Sequence, residues 1–219
     1  MKTIIFDLDG TVLNTLVDLK NAVNHGLKTR NLPEKDLEFV RTAIGNGTQV
    51  LIKRCTPEYL SDEERALVFD SFKNYYLEHY DDYTKPYDGI KEMLENLHGK
   101  CQIGLVSNKD HDLVLKLINK EFPGLFDIIQ GTYFDKPKKP NPYLINKIVE
   151  EYNLDKNECL YIGDTNVDKE TADNSGLKYK LVNYGFRNKE ELKKLCPNDT
   201  TISSVDELYN YLLLWVNQN

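Results

Sequence analysis

The alternation of short apolar runs with helical patterns constrains this chain more than any other feature. Thr3–Phe6, Gln102–Val106, Phe126–Ile129, Cys159–Ile162 and Tyr179–Asn183 each have the length of a buried strand, and most are rich in β-branched residues. Helical periodicities fill the later intervals. Asp88 can cap a helix that carries Ile90, Met93, Leu94 and Leu97 on its apolar face and ends at Gly99; another carries Tyr143, Leu144, Ile148 and Tyr152. Strand and helix in alternation predict a doubly wound α/β fold with a parallel sheet.

From about Asn14 to Pro86 that rhythm stops. The segment holds only helical spacings: Leu16, Leu19, Val23 and Leu27, then Leu37, Val40 and Ile44. A long helix follows, opened by Ser61 and Glu64 in capping-box spacing and carrying Leu67, Val68, Phe72, Tyr75, Tyr76 and Tyr80. An all-helical insertion between the first two strands is the economical reading, with residues 1–14 and 86–219 forming the core and 15–85 the insertion. Thr11–Thr15 and Lys85–Gly89 would be its hinges. The Leu208, Leu212 and Trp215 face closes the core.

A net charge of −7 argues against a general nucleic-acid binder or a polybasic membrane-surface protein, so an anionic substrate must be captured by a local cluster. No apolar run approaches the roughly 20 residues of a membrane span, and the expected location is the cytoplasm. Cys55, Cys101, Cys159 and Cys196 are widely spaced, without a metal or redox pattern, and the four histidines are equally scattered.

Ligands of parallel α/β sheets gather at the carboxyl ends of the strands. The first run ends in Asp7-Leu-Asp9-Gly-Thr11, the second in Ser107-Asn108-Lys109 and the fourth in Gly163-Asp164, with Asp168 close behind; Lys139 lies in Lys138-Lys139-Pro140-Asn141-Pro142 after the third. Asp7, Asp9 and Asp164 are hard oxygen donors that together call for a cation such as Mg2+. A lysine and a serine hydroxyl would hold the remaining phosphate oxygens. The period of two along an extended segment puts Asp7 and Asp9 on one side, one able to attack phosphorus while the other serves the leaving oxygen.

In their order and context these four motifs resemble those of the haloacid dehalogenase-like hydrolase superfamily. Asp7-Leu-Asp-Gly-Thr11 is similar to its first motif, Ser107 to the second, Lys139 to the third, and Gly163-Asp164 through Asp168 to the fourth. The resemblance implies a Rossmann-like core with a helical cap between the first two motifs. It implies Asp7 as nucleophile and Asp9 as general acid and base. Asp7, the backbone carbonyl of Asp9, and Asp164 would bind magnesium, with Asp168 in support, and Ser107, Asn108 and Lys139 would hold the phosphoryl group. Asp9 points to phosphate esters rather than halides, because a departing alkoxide needs a proton.

Within the superfamily, Asp9-Gly-Thr-Val-Leu-Asn-Thr15 and Ile44-Gly-Asn-Gly-Thr48 resemble the phosphoglycolate phosphatase-like members; Asn14 stands where many of them carry aspartate. The implied activity is magnesium-dependent hydrolysis of a small phosphorylated metabolite through an aspartyl-phosphate. A phosphomutase of the β-phosphoglucomutase kind and a non-catalytic regulatory member remain as alternatives. Gly45, Asn46, Gly47 and Arg41 are the candidate specificity residues, with an interhelical turn as the competing reading of the glycine pair. Either a monomer or a homodimer fits.

Overall fold

The computed structural model describes residues 1–218. Six parallel strands form the central sheet in the order β5-β4-β1-β6-β7-β8. In chain order these are β1 (Thr3–Phe6), β4 (Gln102–Asp110), β5 (Ile128–Thr132), β6 (Cys159–Gly163), β7 (Lys178–Val182) and β8 (Thr201–Ile202). β1 is central, with Thr3 in register with Gln102 on one side and Cys159 on the other. Its four residues are all buried, which is why it reads as an unbroken apolar run.

Helices α5 (Ile90–Leu97), α6 (His111–Glu121), α7 (Tyr143–Glu151), α8 (Asn166–Ser175), α9 (Lys189–Leu195) and α10 (Val205–Asn217) connect and cover the strands. Ile90, Met93, Leu94 and Leu97 are buried, as their spacing requires, although the N-cap is Gly89 rather than Asp88. Leu208, Leu212 and Trp215 of α10 join the cluster that includes Phe6 and Ile162, so the last helix closes the core.

Between Asn14 and Lys85 the chain forms four helices: α1 (Leu16–Lys28), α2 (Leu37–Ala43), α3 (Thr48–Cys55) and α4 (Asp62–His79). α1 and α4 are joined through Leu19, Val23, Leu27, Val68, Phe72 and Tyr76, part of a separate apolar cluster. The Ser61 capping box forms as its spacing demands: the hydroxyl accepts from the Glu64 N–H at 3.2 Å, and the Glu64 carboxylate accepts from the Ser61 N–H at 2.9 Å. Leu37 is 44% exposed, so α2 buries a narrower face, around Val40 and Ala43.

Two strand readings shift by more than one residue. β5 starts at Ile128, and Phe126 lies outside it with its ring edge-on to Phe6 and Phe122. β4 runs four residues beyond Val106 through a register irregularity against β5. The hinge segments pair with each other: β2 (Leu13–Asn14) and β3 (Lys85–Pro86) form a two-stranded antiparallel ribbon beneath the helical segment.

All four cysteines are buried free thiols. The histidines do structural work: His25 and His79 stack on Tyr75, and His111 Nδ1 accepts the Gly131 N–H. No helix among the described residues is long and apolar enough to cross a membrane.

Candidate active site

The Asp7 N–H donates to the Ile162 carbonyl at 2.8 Å, so the ladder persists to the point where the first carboxylate leaves the sheet. Leu8 is fully buried, and Asp7 and Asp9 on either side of it both line one cavity, as alternation requires. The turn that follows is shaped around Asp164. A side chain on Gly10, whose φ is +89°, would strike the Asp164 carboxylate at 2.3 Å. One on Gly185 would meet the Gly10 carbonyl at 2.1 Å. Asp164 is wholly buried and accepts from the Phe186 N–H at 2.6 Å and the Thr11 hydroxyl at 3.2 Å.

Lys139 bridges the core carboxylates. Its Nζ donates to Asp7 Oδ1 at 2.7 Å, Asp168 Oδ1 at 2.8 Å and the Tyr161 hydroxyl at 2.9 Å. Burial works against that ammonium charge, but Asp168 and Asp7 outweigh it and hold Lys139 well above the usual lysine range. Burial pushes the Asp7 carboxyl up to about 7 despite the pull of Lys139. Burial, with Asp168 and Asp7 nearby, also raises Asp164.

Asp7, Asp164 and Asp168 each offer an oxygen within 4.8 Å of the others, a donor set suited to a hard divalent cation. Asp168 is the least free of the three. Its Oδ2 accepts from the Asp164 N–H, the Thr165 N–H and the Thr165 hydroxyl, while Oδ1 accepts from Lys139. That network fixes the Asp168 carboxylate beside the other two.

The Asp9 carboxylate points elsewhere. Lys109 Nζ donates to its two oxygens at 2.8 and 3.1 Å, and the Thr15 hydroxyl donates to Oδ1 at 2.7 Å. Lys109 also donates to the Tyr76 hydroxyl, on α4, at 2.9 Å. Neither Lys109, Tyr76 nor Thr15 stands out in the sequence as a site residue. Lys109 closes the Ser107-Asn108-Lys109 strand-end motif, but its spacing names no partner for it.

Ser107 lines the cavity, and its Oγ accepts from the Lys109 N–H at 3.1 Å. Asn108 also lines it, but its amide is engaged by the neighbouring loop: Oδ1 accepts from the Lys139 N–H at 2.7 Å, and Nδ2 donates to the Lys139 carbonyl at 3.0 Å and the Gly45 carbonyl at 3.3 Å. Asn108 thereby fixes Lys139. The cavity holds about 410 Å³ between the strand ends and the helical segment, whose contribution includes Leu19, Leu51, Phe72 and Tyr76.

The candidate specificity residues divide. Gly45 and Gly47 line the cavity, whereas Asn46 accepts from Arg54 at 2.8 Å and is not part of the lining. Arg41 is also outside the lining, because its guanidinium is held by Glu38, Glu191 and the Phe186 carbonyl. It acts as a strap from α2 to α9. Arg187, unremarked in the sequence, is a second strap, donating to the carbonyls of Arg41, Thr42 and Ile44 at 2.8 to 3.0 Å.

A parallel sheet with a helical insertion and carboxylates and lysines gathered at its strand ends defines a class of hydrolase, and residues 4–182 match the family model of haloacid dehalogenase-like hydrolases. The chain belongs to that family. It is 34% identical to a phosphoglycolate phosphatase of Aquifex aeolicus, over 85% of this chain and 86% of that protein. It is 31% identical to one from Vibrio parahaemolyticus, over 95% of this chain and 94% of that protein. A solved structure from Lactobacillus delbrueckii subsp. bulgaricus, provisionally assigned as a phosphoglycolate phosphatase, superposes with a TM-score of 0.89 at 29% identity, covering 97% of this chain and 99% of that one. Within the family this chain is a phosphoglycolate phosphatase-like member, in the class of phosphoric monoester hydrolases.

Proposed function

We propose that the chain is a magnesium-dependent phosphatase that hydrolyses a small phosphorylated metabolite, phosphoglycolate-like or a sugar phosphate, through an aspartyl-phosphate on Asp7. The observation that carries this reading is the division of labour at the end of β1. Asp7 faces the Lys139 and Asp164 side, while Asp9, two residues on, faces Lys109 and Thr15. One carboxylate is thus set beside a cation-binding donor set, and the other beside the helical segment. The relatives named as phosphoglycolate phosphatases support the same substrate class.

Asp7 and Asp164, with the Asp9 backbone carbonyl, would hold magnesium, and Asp168 would orient them. Bound there, the ion supplies the positive charge that lets carboxylates and a phosphate dianion approach one another. Ser107 and Lys139 hold the phosphoryl oxygens, and Asn108 keeps Lys139 in place. In the first step an Asp7 oxygen attacks phosphorus, the bond to the ester oxygen breaks, and the Asp9 proton passes to the leaving alkoxide. In the second, water attacks the same phosphorus, Asp9 takes a proton from it, and the bond to Asp7 breaks. Residues 15–85 act as a cap that keeps bulk water from the cavity during transfer.

Phosphate release from a panel of phosphate monoesters with added Mg2+ tests the reading. Asp7→Asn should lower kcat by about 1,000-fold or more, and EDTA should abolish turnover. Turnover that survives either treatment would overturn it.

A further inference from the structure

Lys109 lies near the far end of β4, within the strand's register irregularity, and its ammonium is buried. An ammonium has three N–H donors. All three are accounted for: two on the Asp9 oxygens and one on the Tyr76 hydroxyl. Lys109 is therefore committed to the Asp9 carboxylate and Tyr76, as Lys139 is to Asp7, Asp168 and Tyr161. Its positive charge is held by Asp9 and Tyr76 against the opposing effect of burial.

Those contacts join separate parts of the molecule. Asp9 follows β1, Lys109 lies near the end of β4, Thr15 opens the helical segment after the hinge ribbon, and Tyr76 lies deep within that segment on α4. Thr15 and Lys109 fix the carboxylate from two directions, and Lys109 is itself fixed by a residue from the helices. A proton donor serving a departing oxygen loses most of its effect when its aim is lost.

We propose that Lys109 is a positioning residue: it aims the Asp9 carboxylate at the leaving-group side of the cavity and, through Tyr76, ties that aim to the placement of the helical segment. This rests on the reading that Asp9 serves the leaving oxygen. It separates Lys109 from Lys139, whose donors go to the Asp7 side.

The test compares two esters with added Mg2+: 4-nitrophenyl phosphate, whose phenolate departs without a proton, and the alkyl phosphate the enzyme hydrolyses fastest. Because Asp9 also serves the second step on both esters, the readout is the pre-steady-state rate at which the alcohol or phenol is released: Lys109→Met should lower it about 100-fold on the alkyl ester and by less than about 5-fold on the aryl ester. Tyr76→Phe should show the same bias at about 5-fold on the alkyl ester, in the rate at saturating ester rather than in the half-saturating concentration. Equal losses of that rate on both esters, or losses confined to half-saturation, would overturn the proposal. Circular dichroism melts show whether Lys109→Met folds; if it does not, Tyr76→Phe, which keeps the charge pair, decides by the same bias. Asp9→Asn is run alongside. If it lacks the alkyl bias, the reading of Asp9 fails and Lys109 with it. If it has the bias and Lys109→Met does not, the Lys109 proposal alone fails.

Discussion

Lys139 and Lys109 are both buried beside aspartates at the same sheet edge, yet their surroundings differ. Lys139 is held by Asp7, Asp168 and Tyr161, all outside the helical segment. Lys109 is held by Asp9 on one side and by Tyr76 of the helical segment on the other. The first cluster is complete within the core, whereas the second needs both parts of the chain. Under the proposed mechanism, charge at the reacting phosphoryl group is fixed by the sheet alone, while proton delivery depends on where the helices sit.

The sharpest way to break this comparison is to remove Lys139. Lys139→Met leaves two buried carboxylates without their cation, and kcat should fall by about 1,000-fold on aryl and alkyl esters alike. Breaking such a buried network should also destabilise the fold by about 3–5 kcal/mol, measured by chemical denaturation. An alkyl-selective loss would mean that the two lysines do the same job.

Metal removal probes the same cluster more gently. Wild-type protein should melt higher with Mg2+ than with EDTA, by the equivalent of about 2.7 kcal/mol at a hundred times the dissociation constant. In Asp164→Asn the shift should shrink towards zero in a calorimetric or fluorescence melt. A full shift in that variant would take Asp164 out of the metal site.

The straps between the helical segment and the core matter to the second cluster. Arg187→Ala withdraws a guanidinium from three carbonyls of the α2 end and should cost about 2 kcal/mol in urea denaturation. A loss within the error of the measurement would mean that the strap does not hold the segment. The Arg41–Glu191 pair should contribute less. Hydrogen bonding to Arg41 lowers the Glu191 carboxyl to about 2, against about 4.3 for a free glutamate. A depressed carboxylate stabilises the fold above its unfolded value, and that contribution is lost as pH falls through the folded one. Stability relative to Glu191→Gln should therefore decline from about pH 4 to about pH 2, by less than about 1 kcal/mol because the pair is partly solvated. An unchanged difference across that range would rule out the ion pair as its source.

The core site was legible because a buried strand leaves few choices. Four buried residues, three of them apolar, precede Asp7, and period two then turns Asp7 and Asp9 to one side. Lys139 was legible as a charge beside a strand end. The helical side resisted reading for a physical reason: Tyr76 lies on the same buried stripe as Val68 and Phe72, and spacing alone does not separate a hydroxyl that meets a lysine from a ring that fills a core. Arg41 misled in the opposite way, since an arginine near a substrate loop resembles an anion site until its carboxylate partners, one of them 150 residues away, are seen. Lys109 stands in the Ser107-Asn108-Lys109 strand-end motif, but spacing does not show that its ammonium turns to Asp9.

Trapping the covalent intermediate tests the central claim most directly. Asp9→Asn protein is mixed with radiolabelled 4-nitrophenyl phosphate and Mg2+, quenched in acid and digested, and the labelled peptide is sequenced by mass spectrometry. The expected result is an acyl phosphate on Asp7, because the aryl group leaves without a proton while the water-activating carboxylate is missing. Steady turnover with no label on the protein, or label on a residue other than Asp7, would contradict it.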